Sequence, residues 1–196
     1  MYNVLAIMLQ YISGLIMYSY LISKYKGIDL KKIRDGNPGS SNVWRALNWR
    51  WGLLAMILDY FKGTLPLFLF VITGSVTNKC IIAFAALSGI LGHSFSPMLR
   101  FKGGKAIATT FGAWTVLTKW EVPLLLGAIF TLYGLIKKGK KSVEEDAFRV
   151  LLGYTLLIPY ILYKSLNGEI HLLIFYLGSF LIIGYKHWNE WRRYFR

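Results

Sequence analysis

The chain has 196 residues, of which 55% are apolar and only 16% are charged. Soluble domains carry charged residues at about a quarter of positions, so this composition excludes an ordinary soluble domain and indicates a membrane protein. The 23 Lys and Arg residues outnumber the nine Asp and Glu residues, which gives a net charge of +14. The single cysteine, Cys80, excludes an intramolecular disulfide and a cysteine-based metal cage. A structural zinc site is therefore not expected, and we also expect no other metal and no cofactor.

Seven apolar stretches follow one another along the chain: residues 4–23, 51–75, 80–99, 106–118, 122–136, 147–163 and 170–185. A helix needs about 20 apolar residues to cross a bilayer, so the fourth and fifth stretches are short and need shielding by neighbouring helices. The pattern predicts an all-α fold, a polytopic integral membrane helix bundle of about seven transmembrane helices, formed as a single domain over residues 1–196. The first stretch lacks the features of a cleaved signal peptide, so we expect it to be retained.

The basic residues fall in alternate connections between these stretches. Short loops rich in Lys and Arg stay in the cytoplasm. Seven spans with the N-terminus outside and the C-terminus in the cytoplasm put 19 of the 23 basic residues inside, three outside and Lys62 within a span. Topology and attraction to anionic lipid headgroups thus account for the charge. We expect membrane lipids as partners, no nucleic acid, and no obligate protein partner.

Three polar clusters interrupt the apolar chain, and this topology places all three on the cytoplasmic side. The first runs from Arg34 to Arg45 with the sequence Arg-Asp-Gly-Asn-Pro-Gly-Ser-Ser-Asn-Val-Trp-Arg. Its Gly, Asn and Pro residues predict an irregular loop whose backbone N–H groups could bind an anion. Arg45 adds a planar guanidinium suited to phosphate. An ordinary connection between two helices is the alternative interpretation.

The second cluster runs from Gly92 to Thr109. Its Gly103-Gly104 pair lets the backbone approach a ligand closely, and a helix beginning near residue 106 would point its positive end at that ligand. Phosphate is the expected ligand, but the spacing does not match the nucleotide-triphosphate consensus, which disfavours ATP. His93 lies near the inner end of an apolar stretch, where a polar ring is either partnered or functional. A structural role for His93 stays open.

The third cluster, residues 186–193, ends the last apolar stretch. Its Lys, Arg and Trp residues are typical of an interfacial anchor, and only His187 and Glu190 are not explained by that role. Within the second stretch, Asp59 and Lys62 are three residues apart, so we expect them to form a structural pair on one helical face. The residues alone thus predict a phosphate-sized anion site at the cytoplasmic membrane interface, without naming a reaction.

Together the clusters resemble the bacterial acyl-phosphate-dependent glycerol-3-phosphate acyltransferases over nearly the whole chain. The family's first motif, Gly-Ser-Gly-Asn-x-Gly-x-Thr-Asn-x-x-Arg, is similar to residues 34–45, with Asp35 at the serine position. A second motif, which begins Gly-His and ends Phe-Lys-Gly-Gly-Lys-Gly, is matched at residues 92–93 and 101–105. In the third motif, Glu190 is in register with an asparagine. A neighbouring cation, Arg34 or Arg45, is the expected partner of the Asp35 carboxylate.

The resemblance implies transfer of a fatty acyl group from acyl phosphate to glycerol 3-phosphate, giving lysophosphatidic acid, the first acylation step of phospholipid synthesis. It implies a multi-pass protein of the bacterial inner membrane whose active site faces the cytoplasm. The catalytic residues implied are Arg45, Lys105 and His187. The substrate-binding residues implied are Asp35, Gly36, Asn37, Gly39, Ser41, Asn42, His93, Lys102, Gly103, Gly104, Asn189 and Glu190. Two alternatives stay open: a divergent paralogue that uses another acyl acceptor, and a non-catalytic membrane binding protein of the same fold.

Overall fold

The computed structural model describes residues 1–137, 139 and 142–196. In these residues the only regular elements are helical, so the predicted all-α fold is confirmed. The α-helices are α1 (Tyr2–Leu15), α2 (Tyr18–Tyr25), α3 (Ser40–Ala46), α4 (Trp49–Ile72), α5 (Lys79–Ser94), α6 (Ile107–Thr118), α7 (Glu121–Ile136), α8 (Val143–Leu166) and α9 (Ile170–Tyr194). Short 3-10 turns lie at Leu30–Lys32 and Pro97–Leu99. Three of the lysines counted toward the inside, Lys138, Lys140 and Lys141, lie outside the described residues.

Five segments are long and apolar enough to cross a membrane. They are Tyr2–Tyr25, which contains α1 and α2, then α4, then Lys79–Leu99, which contains α5, and finally α8 and α9. Helices α6 and α7 have 12 and 16 residues and are apolar but shorter than the roughly 20 residues of a full span. An integral membrane helix bundle is therefore confirmed. The count of seven depends on the two short helices and stays a prediction.

The first apolar stretch is not one helix, because the chain bends at Ile16 and Met17 between α1 and α2. The bend leaves carbonyl groups without helical donors, which is costly in a membrane. Lys62 Nζ of α4 donates to Ile16 O at 2.6 Å, and Ser96 Oγ donates to Leu15 O at 2.6 Å. Side chains from two distant parts of the chain therefore stabilise the bend.

Lys62 also forms the pair expected from the sequence, because its Nζ lies 2.9 Å from Asp59 Oδ1. Ser19 Oγ of α2 donates to the other carboxylate oxygen, Asp59 Oδ2, at 2.7 Å. Both charged side chains are at most 2% exposed. A buried charge is tolerated only when it is paired and hydrogen-bonded, and here both conditions are met. This group of contacts joins α1, α2 and α4.

Small residues allow the helices to approach closely, as is common in membrane bundles. Gly14 of α1 packs on the backbone of Gly89 in α5, and Gly63 of α4 packs on the backbone of Thr109 in α6. A Cβ atom at either glycine would overlap the opposing backbone. The short helix α6 is shielded by this packing, and its Trp114 is completely buried. Its first residues are thereby held next to the middle of α4 and the end of α5.

Candidate active site

The loop before α3 is organised around the side chains of Asp35 and Asn42. Asp35 Oδ1 accepts hydrogen bonds from Asn42 Nδ2 at 2.8 Å and from the Asn37 N–H at 3.3 Å. The same Asn42 amide lies 3.0 Å from the carbonyl oxygens of Ile33 and Asn37. Gly36 has a φ of +69°, a conformation that side chains rarely adopt. The loop is therefore a pre-formed turn rather than a loose connection.

The loop before α6 carries Gly103 and Gly104, and both are packed against His93 at the end of α5. The Gly104 N–H donates to His93 O at 3.2 Å. A Cβ atom at Gly103 would overlap the His93 carbonyl oxygen, and one at Gly104 would overlap Nε2 of the His93 ring. Both positions therefore require glycine because of His93, in addition to any need for a ligand to approach.

His93 lies behind this loop and is only 3% exposed. Its Nδ1 is 3.3 Å from Thr109 Oγ1, and that hydroxyl donates to Asp59 O at 3.0 Å. Because the Thr109 proton is used for the carbonyl, we assign the ring proton to Nδ1 of His93. This arrangement favours the structural role that the sequence left open, in which His93 supports the glycine loop.

Gly104→Ala is expected to lower the acyl-transfer activity that the motifs imply by roughly tenfold. The added methyl group overlaps the His93 ring and displaces the loop that carries Gly103 and Gly104. Gly127→Ala in α7 is the matched control, since a Cβ at Gly127 meets no atom within 4 Å. Steady-state kinetics of both variants after purification in detergent provide the measurement. Equal activities in the two variants would contradict the proposed fit of the loop.

Lys105 joins the three polar clusters of the sequence in one place. Its Nζ lies 2.9 Å from Asp35 Oδ2 in the loop before α3 and 3.3 Å from Glu190 Oε1 near the end of α9. The three side chains are between 12% and 15% exposed, so a ligand from the solvent can still reach them. The predicted convergence of the clusters is therefore present in the fold.

The charge of Asp35 is controlled by Lys105. Burial alone would raise the pKa of the Asp35 carboxyl, but the hydrogen bond and positive charge of Lys105, with the hydrogen bonds from Asn42 and Asn37, hold it below its usual value. Asp35 is therefore ionised at neutral pH. The expectation that Arg34 or Arg45 would neutralise Asp35 is wrong, because the ion pair that Asp35 forms is with Lys105, 70 residues along the chain.

Arg34 and Arg45 instead meet at Asp146, near the start of α8. Their guanidinium groups lie 2.8 Å and 3.5 Å from Asp146 Oδ2, and Arg149 lies 3.4 Å from Oδ1. Burial and the neighbouring charge of Arg34 lower the pKa of the Arg45 guanidinium below its ordinary value, although Asp146 opposes this. Three guanidinium groups around one carboxylate leave an excess of positive charge, which suits a phosphate ligand.

The end of α9 supplies two further basic side chains. His187 is 3% exposed, and its Nδ1 lies 2.9 Å from Ile183 O. A proton on Nδ1 satisfies that carbonyl and leaves the lone pair on Nε2. Lys186 Nζ donates to Gly103 O at 2.8 Å and to Ser94 O at 3.1 Å, which ties the glycine loop to α9. The sequence placed Lys186 in an interfacial anchor, so its contact with the loop was missed.

Lys102 and Asn189 are expected site residues that the structure does not bring into the Lys105 cluster. The side chains of Lys102 and Asn189 are exposed, and no hydrogen bond or ion pair within the described residues joins either of them to Lys105, Asp35 or Glu190. Asp146, in contrast, was not predicted as a site residue, although its carboxylate holds the arginines of the site together. Its position among three acidic residues in the first turn of α8 is typical of helix capping and gave no sign of this role.

A cavity of about 310 Å³ lies beside Arg45. Its lining residues are Ser40, Ser41, Trp44, Arg45, Gly52 and Met56. Hydroxyl and guanidinium groups therefore face the same space as a tryptophan and a methionine. Gly52 leaves room for Trp44, because a Cβ at Gly52 would meet the Trp44 side chain. The cavity suits a molecule with an anionic group attached to an apolar chain.

Residues 4–196 match the family model described as glycerol-3-phosphate acyltransferase. The chain belongs to the glycerol-3-phosphate acyltransferase family. Among curated relatives, glycerol-3-phosphate acyltransferase 1 of Thermotoga maritima is 57% identical over 201 residues, covering 100% of this chain and 99% of the relative. The glycerol-3-phosphate acyltransferase of Aquifex aeolicus is 31% identical over 165 residues, covering 84% of this chain and 74% of the relative.

The family fold is also present in solved structures. The crystal structure of PlsY (YgiH), an integral membrane glycerol 3-phosphate acyltransferase, in its glycerol 3-phosphate form superposes with a TM-score of 0.82 at 26% identity, covering 98% of this chain and 92% of that one. The lysophosphatidic acid form of the same protein gives a TM-score of 0.79 at 25% identity, with coverages of 98% and 91%. The likeness to glycerol-3-phosphate acyltransferases thus extends from sequence to overall fold.

Proposed function

We propose that this protein transfers a fatty acyl group from acyl phosphate to glycerol 3-phosphate and so forms lysophosphatidic acid. The observation that carries the proposal is the position of Lys105, which brings the three motif clusters together. Arg45 of the first cluster also lines a cavity with a basic and an apolar side. Both substrates carry a phosphate, and one also carries an alkyl chain, so the chemistry of the site matches the pair. Membership of the glycerol-3-phosphate acyltransferase family supports the same reaction.

In the proposed reaction, the 1-hydroxyl oxygen of glycerol 3-phosphate attacks the carbonyl carbon of the acyl phosphate. The bond between that carbon and the phosphate oxygen breaks, and inorganic phosphate leaves with the hydroxyl proton. Arg45 and Lys105 hold the phosphate groups and stabilise negative charge as it develops, while the lone pair on His187 Nε2 accepts a hydrogen bond from the acceptor. The backbone at Gly103 and Gly104 lets the acyl phosphate approach.

We assign the acyl chain to the apolar side of the cavity beside Arg45. A phosphate bound by Arg45 and the serine hydroxyls would leave the attached chain against Met56 of the candidate span α4 and against Trp44, which packs on Gly52 of that span. No covalent acyl-enzyme is needed in this scheme. Cys80 lies at the first turn of α5, at the opposite end of that helix from His93, so it is not available as a nucleophile.

The test is acyl transfer by the purified protein with palmitoyl phosphate and glycerol 3-phosphate, with lysophosphatidic acid measured by mass spectrometry. Palmitoyl-coenzyme A replaces the donor in one control, and a panel of other polyol phosphates replaces the acceptor in another. We expect product with palmitoyl phosphate and glycerol 3-phosphate. Equal rates with palmitoyl-coenzyme A would overturn the proposed donor, and a faster reaction with another acceptor would identify a divergent paralogue. No transfer to any acceptor would favour the non-catalytic alternative.

We further propose seven spans in a bacterial inner membrane, with the N-terminus outside and the site facing the cytoplasm. The supporting observation is that α6 and α7 are apolar, although short, and that alternate connections carry most of the basic residues. The loop before α3, the glycine loop and the ends of α8 and α9 that bear the site then lie on one side.

Single cysteines test this orientation in a Cys80→Ser background. Lys32→Cys and Thr77→Cys place thiols at exposed positions in successive connections of the chain. In intact cells, a membrane-impermeant maleimide is expected to label position 77 and to label position 32 only after the membrane is opened. Labelling of both positions from the same side would contradict the seven-span arrangement, because one long helix, α4, separates them.

A further inference from the structure

A second cavity, of about 380 Å³, lies between α8 and the end of α9. Its lining residues are Leu151, Trp188, Trp191, Arg192, Phe195 and Arg196. It shares no lining residue with the cavity beside Arg45, so it is a separate feature from the proposed substrate site. Its walls combine large apolar rings with two guanidinium groups.

The inner wall of this cavity is fixed by contacts with the rest of the protein. Trp191 is 9% exposed, and its Nε1 donates to Ala147 O of α8 at 2.8 Å. Its ring stacks on His187 with centroids 5.9 Å apart and on Phe180 with centroids 6.1 Å apart. A wall held in this way is pre-formed, so a ligand does not have to order it on binding.

The outer part of the cavity is formed by exposed aromatic side chains. Trp188 and Phe195 are 57% and 65% exposed. Both lie near the end of the candidate span Ile170–Tyr194, at the level where tryptophan and arginine meet lipid headgroups. A molecule that enters here therefore meets water at one end and hydrocarbon at the other.

The charges at the rim determine which molecule fits. Arg192 and Arg196 are exposed, and neither forms an ion pair with any residue that the structure describes. The neighbouring Arg193, in contrast, is engaged with Glu144, with Nε 2.7 Å from Oε1. Two guanidinium groups without carboxylate partners beside an apolar cavity are complementary to a phosphate that carries alkyl chains and no positive group.

We propose that this cavity is a binding site for an anionic phospholipid of the surrounding leaflet. Arg192 and Arg196 contact the headgroup phosphate, while Trp188 and Leu151 lie against the glycerol and the first methylene groups. The site differs from a general basic surface because its selectivity depends on particular arginines. It does not depend on the proposed acyl transfer, and its test measures binding alone.

Native mass spectrometry of the purified protein tests the proposal, using phosphatidylglycerol and phosphatidylcholine with identical chains. The parent protein is expected to bind a first phosphatidylglycerol about tenfold more tightly than phosphatidylcholine, since the guanidinium groups add charge-assisted hydrogen bonds to an anionic headgroup. Arg192→Gln is expected to remove most of that preference. Arg193→Gln is the matched control, because it removes the same charge from the same helix end but from a residue already paired with Glu144.

Two results would overturn the proposal. An equal loss of preference in Arg192→Gln and Arg193→Gln would show only diffuse attraction between the basic surface and anionic lipids. Displacement of bound phosphatidylglycerol by palmitoyl phosphate at an equal concentration would assign the cavity to the acyl donor instead. Circular dichroism of both variants verifies that each keeps the helical fold of the parent, so a change in binding reports on the cavity.

Discussion

Lys105→Ala is expected to lower kcat/KM by about a hundredfold. Loss of one charge-assisted contact with phosphate costs roughly 1.5 to 3 kcal/mol of binding free energy, and a hundredfold loss lies near the upper end of that range. We expect a loss near the upper end of this range because Lys105 has a second role besides binding phosphate. It neutralises Asp35 and Glu190, and its removal leaves two carboxylates facing the place where phosphate must enter. Steady-state kinetics with palmitoyl phosphate and glycerol 3-phosphate provide the measurement.

A lysine at the other end of the bundle gives the matched control for this prediction. Lys79 Nζ lies 3.0 Å from Glu169, so Lys79→Ala also removes a lysine from a carboxylate pair, but far from the motif clusters. We expect Lys79→Ala to keep parental kinetics. The double variant Lys105→Ala/Asp35→Ser should recover part of the lost activity, because one of the exposed carboxylates is gone. Unchanged kinetics in Lys105→Ala would show that the glycine loop and its Lys105 take no part in the mechanism.

Lys62→Met is expected to lower the free energy of unfolding by about 3–5 kcal/mol, the usual cost of leaving one partner of a buried ion pair uncompensated. The substitution keeps an unbranched side chain, one atom shorter, but removes the charge beside Asp59. It also removes the donor to Ile16 O at the bend between α1 and α2. Unfolding in mixed detergent micelles with increasing sodium dodecyl sulfate, followed by circular dichroism, measures the loss.

The double variant Asp59→Asn/Lys62→Met separates the effect of charge from the effect of packing. With both charges absent, no uncompensated charge stays buried, so the double variant should be more stable than Lys62→Met alone. Lys79→Met is the exposed counterpart, and we expect it to change stability by less than about 1 kcal/mol because solvent screens its pair with Glu169. A loss in Lys62→Met no larger than in Lys79→Met would contradict the role assigned to the buried pair.

The convergence of the site could be predicted because it depends on topology. Alternation of basic and neutral connections predicts that the three clusters share one side of the membrane, and hydropathy predicts the five segments that are long enough to cross it. The pairing of Asp59 with Lys62 was also accessible, since a spacing of three residues puts both on one helical face. Local spacing and charge distribution are therefore enough to predict the convergence of the clusters and the pairing within one helix.

The individual contacts across the site could not be predicted in the same way. Asp35 pairs with Lys105 rather than with an arginine in its own loop, and Arg34 reaches Asp146, 112 residues away. Which side chains meet depends on how each helix is rotated about its axis, and close glycine packing sets that rotation. His93 shows the same limit, because only the fold reveals that its ring lies behind Gly104.

The bend between α1 and α2 also has a consequence for the way the chain is built in the membrane. The carbonyl groups of Leu15 and Ile16 find their donors on Ser96 and Lys62, which the ribosome adds much later. During synthesis the first apolar segment therefore enters the bilayer with polar groups that lipid cannot satisfy. We expect this segment to stay beside the insertion machinery until α4 and α5 arrive, so that the N-terminal part of the bundle is released as a unit rather than helix by helix.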